Sequence, residues 1–196
     1  MSSPAPGQHH AVQFYGNDST LFETVSGFLA QGLVEGNPAM LIATPAHTKS
    51  ILDRLKSRLI DVERAQRSGS LTVFDAQRTL NLFMVGDMPD ERAFEEHIGR
   101  AVRSVLRNHT DRTLIRAYGE MVDVLWKQGR IKATIRLEML WNTLAHRYGF
   151  ALLCGYAIGN FDQSPGAFEE VCRQHTHIVP ADAPFGTRSN SGTLLQ

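Results

Sequence analysis

Three side chains that could take part in binding chemistry stand close together at residues 116–121, where Arg116, Tyr118 and Glu120 follow an apolar run. Charged groups at the end of a buried strand need partners, because burial of an unpaired charge is costly. Two interpretations fit this stretch. The three side chains form the polar floor of a ligand pocket, or they form an internal ion pair that fixes the turn, and one arrangement can do both.

A second group of polar and aromatic side chains falls in the helical pattern of residues 131–148. Glu138 and Asn142 are four residues apart, so they share a helix face, and Trp141 lies beside them. The Glu138 carboxylate either meets Arg116 across a sheet or presents an acceptor to a ligand. Tryptophans usually pack in a core, but near a polar turn they also suit the wall of an aromatic pocket.

Histidine and cysteine residues near the two ends of the chain raise the question of a metal site. His9 and His10 could converge with Cys172, His175 and His177, but the spacing Cys-x-x-His-x-His fits no standard zinc signature. The sequence also lacks a Gly-x-Ser-x-Gly turn that would expose a nucleophilic serine. We therefore predict no metal ligand, no cofactor and no catalytic residue, and we interpret both cysteines as free thiols.

The first strand and turn, residues 14–21, occupy the place where a nucleotide-binding α/β protein carries its phosphate loop. A working loop needs several glycines, a lysine that reaches the outer phosphates and a hydroxyl that holds magnesium. The segment reads FYGNDSTL, with one glycine and no lysine, and Asp18 would repel an anion. The pattern therefore argues against ATP hydrolysis.

Strand patterns alternate with helix patterns along most of the chain. The predicted strands cover residues 12–15, 39–43, 71–74, 113–118, 150–156 and 178–180. The predicted helices begin near residues 18, 45, 90, 121, 131 and 165. Asp18 or Ser19 is the expected cap of the first helix, and Leu59 is expected on the buried face of the second. Because this alternation requires right-handed crossovers, the predicted fold is α/β, a three-layer sandwich with a mostly parallel central sheet.

Length and charge limit the classes of protein that fit. The 196 residues suit one domain, and we predict a flexible leader at 1–8, a single domain at 9–182 and a disordered tail at 183–196. Lysine and arginine together number 20, as do aspartate and glutamate, so a direct nucleic-acid partner is not expected. The chain shows no long apolar run and no signal pattern, which predicts a cytoplasmic protein without a membrane partner.

Several sequence blocks occur in an order that resembles a known family. They are HxxxFY at 10–15, FLxxGLxxG at 28–36, RAYGEMVDxLW at 116–126, LExLWN at 137–142, LCxY at 153–156 and His175. The set resembles the MEDS domain, a sensory domain named for methanogens, methylotrophs and a dichloromethane-responsive regulator. The resemblance implies a RecA-like fold, similar to circadian-clock ATPases, with a degenerate phosphate loop. It also implies a bacterial or archaeal signalling role, with a small organic effector and a histidine kinase or transcription regulator as partners.

Residue patterns and resemblance together predict a non-enzymatic effector pocket above the carboxyl edge of the sheet. Its expected lining is Tyr15, Arg116, Tyr118, Glu120, Trp126, Glu138, Trp141, Asn142 and Tyr156. Segment 81–88 is a candidate lid for this pocket. Two alternatives stay open: an interaction module without a small ligand, and a residual nucleotide-binding protein that depends on Asp75 or Glu120. The oligomeric state also stays open, with a homo-oligomer among the alternatives.

Overall fold

A computed structural model of the chain describes residues 9–107, 114–161 and 165–179. The strands in chain order are β1 His10–Tyr15, β2 Ala39–Ala43, β3 Leu71–Asp75, β4 Met84–Val85, β5 Met88–Pro89, β6 Arg116–Gly119, β7 Ala151–Ala157 and β8 His177–Val179. Six of them form one sheet in the order β3-β2-β6-β7-β1-β8, and every neighbouring pair is parallel. The short strands β4 and β5 form a separate antiparallel hairpin.

Helices connect the strands of the main sheet. They are α1 Asp18–Val34, α2 Pro45–Ser57, α3 Val62–Ser68, α4 Ala76–Asn81, α5 Glu91–Phe94, α6 Arg100–Arg107, α7 Met121–Lys127, α8 Ile131–Tyr148 and α9 Pro165–Arg173. A π-helical turn, Glu95–Gly99, joins α5 to α6, and a 3-10 turn, Ile158–Asn160, follows β7. In the described part of the chain, every helix is too short or too polar to span a bilayer.

The sheet is covered on both faces. Successive strand residues point to opposite faces, so Tyr15 packs with α1, α2 and α3 while Phe14 packs with α4 to α9. The same alternation places Tyr118 on the first face and Tyr156 on the second. This arrangement confirms the predicted three-layer α/β sandwich with a parallel central sheet.

Local signals explain where two of the helices begin and end. The α1 helix starts after Asn17, whose side chain accepts a hydrogen bond from the Thr20 amide at 3.0 Å, so Asn17 is the cap rather than Asp18 or Ser19. The long helix α8 ends at Tyr148 and is capped by Gly149, which has φ of 63°. A left-handed backbone at this position favours glycine because it has no Cβ.

The structure corrects the prediction for the second helix. We expected Leu59 on its buried face, but α2 ends at Ser57, and Leu59 is 93% exposed with φ of 63°. The chain then turns into α3, which begins after Asp61, whose side chain accepts a hydrogen bond from the Arg64 amide. The helical spacing of apolar residues holds as far as Leu55, which is buried, and the sequence pattern did not predict α3.

Other differences concern segment boundaries. The helix predicted from residue 90 is divided into α5, the π-helical turn and α6, and segment 76–89 contains α4 and the β4–β5 hairpin. The strand predicted at 113–118 begins at Arg116. The predicted leader at 1–8 and tail at 183–196 lie outside the described residues, as does Pro180 of the predicted last strand.

Candidate functional site

The nine predicted pocket residues do not line one cavity, because the sheet separates them. Tyr15 and Tyr118 lie on the face covered by α1, α2 and α3. Trp126, Trp141 and Tyr156 lie on the opposite face. The predicted residues instead fall into two polar groups, one isolated ion pair and the apolar core, which holds both tryptophans.

Arg116 belongs to the isolated ion pair at the amino end of its strand. Its guanidinium group donates to Glu35 and Gln31, each at 3.1 Å, and packs over the ring of Phe28. The prediction that Arg116 joins Glu120 at one turn, or meets Glu138 across the sheet, is therefore wrong. The reason is that β6 begins at Arg116, whereas Glu120 follows its last residue four positions later, about 13 Å away at the usual rise of a strand.

The first polar group surrounds Glu120 at the carboxyl edge of the sheet, and we call it the edge network. The Glu120 carboxylate accepts hydrogen bonds from the Thr44 amide and, at 3.3 Å, from the Tyr118 hydroxyl. His47 Nδ1 lies 2.6 Å from the same carboxylate, and Asp18 lies 3.7 Å from the other ring nitrogen of His47. Glu120 is buried and the His47 side chain is 15% exposed, so the network borders solvent.

Asp123 extends the edge network toward the neighbouring strands. Its carboxylate accepts hydrogen bonds from the Tyr15 hydroxyl at 3.3 Å and from the Ala157 amide at 3.2 Å. Lys127 lies 2.6 Å from the same carboxylate and balances its charge. Side chains and amides at the ends of β1, β2, β6 and β7 are thus linked through two buried carboxylates.

Burial and nearby carboxylates shift the titration of the edge network. The hydrogen bond to Glu120 raises the pKa of His47, although burial acts in the opposite direction. Burial, together with the charge of Glu120, raises the pKa of Tyr118 well above its usual range. Burial and the charge of Asp123 raise the pKa of Tyr15 as well. The two tyrosines are therefore hydrogen-bond donors at neutral pH.

The second polar group is buried between the sheet and α8, and we call it the inner cluster. Tyr156 donates to Glu138 at 2.6 Å, and Cys154 Sγ lies 3.6 Å from the same carboxylate. The Nε2 atoms of His10 and His175 lie 3.3 Å and 3.4 Å from the Glu138 oxygens. The Glu138 side chain is fully buried, and the two imidazole rings are 4.1 Å apart between centroids.

A further set of contacts holds the histidines of the inner cluster in place. His10 Nδ1 lies 2.8 Å from Asn142 Oδ1, and His175 Nδ1 lies 2.7 Å from the Val171 carbonyl oxygen. The Asn142 amide nitrogen in turn donates to the Gln174 carbonyl at 2.9 Å. Asn142 therefore links β1 and α8 to the segment that follows α9.

The ionisation states of the inner cluster follow from its burial. Burial raises the pKa of Glu138, but the charges and hydrogen bonds of His175, His10 and Tyr156 outweigh that effect and lower it to about 2. Burial lowers the pKa of His175 to about 4, so this imidazole is neutral at pH 7. Burial and the Glu138 charge raise the pKa of the Cys154 thiol well above its usual range.

The two tryptophans belong to the apolar core. Trp126 stacks on Phe161 with ring centroids 4.1 Å apart, and Trp141 meets Phe94 edge to face at 5.3 Å. Both tryptophans are at least 96% buried. Their placement favours core packing over the wall of a ligand pocket.

Besides Lys127 at the rim of the edge network, sequence reasoning missed the titratable residues that complete the two groups. They are His10, His47, Asp123, Cys154 and His175. A signal existed for two of them, since convergence of the terminal histidines was considered, but Cys154 rather than Cys172 joins them. Both cysteines are free thiols, as predicted.

Most of the chain matches one known protein family. Residues 9–176 match the family described as MEDS, the MEthanogen/methylotroph, DcmR Sensory domain. The chain belongs to the MEDS family. This membership confirms the resemblance and supports a sensory role for the domain. No curated protein matches the chain.

Proposed function

We propose that this MEDS domain is a non-enzymatic sensor that binds a small organic effector at the edge network. Its signal passes to a histidine kinase or a transcription regulator. In this proposal Glu120 orients a polar group of the effector. Asp123 holds the ends of the neighbouring strands in place. A cytoplasmic location and a RecA-like ancestry stay predictions.

The position of Glu120 carries the proposal. The chain leaves β2 toward α2 on one face of the sheet, and it leaves the neighbouring strand β6 toward α7 on the other face. Open α/β sheets bind ligands in the crevice that forms where neighbouring connections diverge in this way. Glu120 bridges this crevice, because it follows β6 and accepts from the Thr44 amide that follows β2.

The chemistry of the edge network indicates the class of effector. Two carboxylates and two phenolic oxygens offer acceptors, so the network suits a ligand with a hydroxyl or amino donor. The partly exposed His47 ring contacts Phe22 edge to face, which gives the outer rim of the crevice an apolar side. A small alcohol or amine with an apolar body fits both features.

The beginning of α1 supports the loss of nucleotide chemistry. Phosphate binds to free amides at a helix N-terminus, but the Asn17 side chain already accepts from the Thr20 amide. Asp18 adds a negative charge to the first turn. We therefore expect neither ATP binding nor turnover, and equilibrium dialysis with labelled ATP and magnesium tests this directly. Retention of ATP by the chain would favour the residual nucleotide-binding alternative.

A screen of small alcohols and amines by thermal shift, followed by native mass spectrometry of the hits, tests the effector site. We expect a ligand that raises the melting temperature of the wild-type chain, and we expect Glu120→Gln to weaken its binding at least tenfold. The substitution keeps the shape of the side chain and removes the charge that attracts the donor.

Glu35→Gln is the matched control for this screen. This substitution makes the same chemical change at the opposite edge of the sheet, where Glu35 pairs with Arg116. Binding should be unaltered in this variant. If Glu120→Gln and Glu35→Gln weaken effector binding equally, the edge network is not the effector site.

A second candidate function rests on an exposed apolar hairpin. Val85 and Met88 of the β4–β5 hairpin are 68% and 41% exposed, and Leu82, which follows α4, is 53% exposed. Arg130 fixes the hairpin by donating to the Gly86 carbonyl at 2.8 Å. This surface suits an interaction module that docks on a signalling protein without a small ligand. Such a module predicts that Val85→Asp abolishes co-purification of one kinase or regulator while the fold is retained.

A further inference from the structure

The histidine, cysteine and glutamate side chains of the inner cluster each bring one possible ligand atom into a small buried space. His10 Nδ1 faces the oxygen of Asn142, whose orientation is fixed because its amide nitrogen donates to the Gln174 carbonyl. His175 Nδ1 faces the carbonyl oxygen of Val171. Both Nδ1 atoms contact acceptors, so both carry a proton, and in a neutral imidazole the Nε2 atom then carries a lone pair.

Each of these Nε2 atoms faces other lone pairs. His10 Nε2 lies 3.3 Å from both Cys154 Sγ and Glu138 Oε2, and Cys154 has one thiol proton to share between them. His175 Nε2 lies 3.4 Å from Glu138 Oε1 and is buried, and within the described ranges it has no hydrogen-bond partner. A buried nitrogen lone pair beside a carboxylate oxygen is unfavourable unless a cation lies between them.

We propose that the inner cluster binds one Zn²⁺ ion. The ligands are His10, Glu138, Cys154 and His175. Two imidazoles, a thiolate and a carboxylate form a donor set that suits zinc. On binding, the thiol of Cys154 loses its proton to solvent and coordinates as the thiolate.

The spacing of the ligand atoms supports this assignment. All four atoms lie within 4.8 Å of one another. A tetrahedral zinc site with bonds of about 2.0–2.3 Å has ligand-to-ligand edges of about 3.3–3.8 Å. His10 Nε2, Cys154 Sγ and Glu138 Oε2 are separated by 3.3, 3.3 and 3.6 Å, which fall in this range. His175 Nε2 lies 3.4 Å from the second carboxylate oxygen, Oε1, so three ligand atoms already have tetrahedral spacing and the fourth lies next to them.

The surrounding contacts match those of established zinc sites. A histidine that binds a metal usually donates its other ring N–H to an oxygen, and both His10 and His175 do so. A carboxylate ligand is usually held by a hydrogen bond, and Tyr156 donates to Glu138 at 2.6 Å. This outer set of contacts orients the ligands toward a common point.

The location of the ligands indicates a structural role for the ion. They come from β1, α8, β7 and the connection between α9 and β8. Four protein ligands leave no open coordination position, which is typical of structural rather than catalytic zinc. The ion would join the last strand of the sheet to its centre, and this role is independent of effector binding at the edge network.

Cobalt substitution of the full chain tests the proposal. The purified protein is stripped with a chelator, kept under reducing conditions and titrated with Co²⁺. We expect the visible bands of tetrahedral Co²⁺, a near-ultraviolet thiolate-to-cobalt band, and loss of both on addition of one equivalent of Zn²⁺. The melting temperature should rise with Zn²⁺. A wild-type chain that shows neither band at excess Co²⁺ overturns the proposal and indicates a doubly protonated imidazole instead.

Cysteine variants identify the sulfur ligand. The chain has two cysteines, so a thiolate band in Cys172→Ser can come only from Cys154. We expect Cys172→Ser to keep both bands and Cys154→Ser to lose the thiolate band. Loss of that band in Cys172→Ser contradicts the assignment, and this result is decisive even where Cys154→Ser does not fold.

A positioning residue supplies a graded test. Asn142→Ala removes the acceptor of His10 without removing a ligand. We expect this variant to keep the cobalt bands and to bind Co²⁺ about 10–100-fold more weakly. Unaltered affinity in Asn142→Ala would contradict the proposed orientation of His10.

Discussion

The edge network and the inner cluster contain the same types of residue, but their buried glutamates have different hydrogen-bond partners. Each has a buried glutamate that accepts a hydrogen bond from a tyrosine, and each glutamate lies beside histidine. The Glu120 carboxylate accepts hydrogen bonds from a backbone amide and a hydroxyl and contacts an imidazole. Glu138 accepts from the Tyr156 hydroxyl and lies 3.6 Å from the Cys154 thiol, while the nearby His175 Nε2 has no hydrogen-bond partner among the described residues.

This difference shows that a buried carboxylate does not define a site by its residue types alone. Where donors surround the carboxylate, the network is complete and a ligand must compete with internal hydrogen bonds. Where acceptors surround it, the protein lacks positive charge at that point. The edge network therefore suits an exchangeable effector, whereas the inner cluster suits a resident cation.

Removal of each carboxylate is the strongest way to break the comparison. In the presence of a chelator we expect Glu138→Ala to lower the free energy of unfolding by about 3–5 kcal/mol, because it leaves a cavity and removes the acceptor of the buried Tyr156 hydroxyl and Cys154 thiol. Glu120→Ala should cost about 1–3 kcal/mol, since solvent can reach His47. Urea unfolding followed by circular dichroism measures both.

An exposed carboxylate provides the control for this pair. Glu63 is 74% exposed and pairs with Arg67 at 3.8 Å, so Glu63→Ala should change stability by less than about 0.5 kcal/mol. If Glu138→Ala and Glu120→Ala lower the free energy of unfolding equally, the fully buried inner cluster and the solvent-bordered edge network do not differ as described.

The two tyrosines sharpen the comparison at the level of single hydroxyls. Tyr156→Phe should cost about 1.5–3 kcal/mol, because its hydroxyl lies 2.6 Å from Glu138 and donates to a charged acceptor. Tyr118→Phe should cost about 1 kcal/mol, because its 3.3 Å hydrogen bond leaves Glu120 with two other donors. The same unfolding measurement checks the order, and a larger loss in Tyr118→Phe would contradict it.

A packing change can disturb the edge network alone. A Cβ atom on Gly155 would lie 2.8 Å from the Tyr118 hydroxyl and 3.0 Å from Leu21. We expect Gly155→Ala to cost about 1–3 kcal/mol through overpacking and to weaken effector binding at the edge network. Cobalt binding at the inner cluster should persist in this variant. If the cobalt bands disappear in Gly155→Ala, the edge network and the inner cluster do not respond independently to substitution.

The smallest expected effect is a pH dependence of the edge network. The pKa of His47 is raised above its ordinary value near 6.5 by the hydrogen bond to Glu120, with Asp18 adding to the rise and Lys127 opposing it. A raised pKa gives stability that is fully present below pH 6.5 and is lost as the pH rises through the folded-state value. Urea unfolding across this interval should show that decline in the wild type and not in His47→Gln. An identical profile in the two proteins would exclude His47 as its source.

Much of the fold followed from the sequence because it depends on local patterns. The apolar run Ala39–Ala43 and the helix Ile131–Tyr148 have the predicted bounds, since continuous apolarity and helical spacing mark buried strands and amphipathic helices. The hairpin β4–β5 and the helices α3 and α4 were missed. All three are short, and the two helices begin after capping aspartates, Asp61 and Asp75, that apolar spacing does not mark.

The candidate sites were harder to predict because they depend on long-range placement. Arg116 and Glu120 are close in sequence but lie at opposite ends of β6, whereas His10 and Glu138 are distant in sequence and in contact. Alternation along a strand also separates Tyr118 from Tyr156, which a list of polar residues cannot reveal. Pairing register, not residue type, decided which side chains met.

The place of β1 in the sheet has a consequence for how the chain folds. Its two neighbours are β7 and β8, and His10 bonds to Thr176, 166 residues later. During synthesis β1 therefore remains unpaired on both of its edges until β7 and β8, near the end of the described chain, have been made. Parallel sheets with such distant pairing form slowly and expose apolar strands meanwhile, so we expect refolding yield to fall steeply with protein concentration.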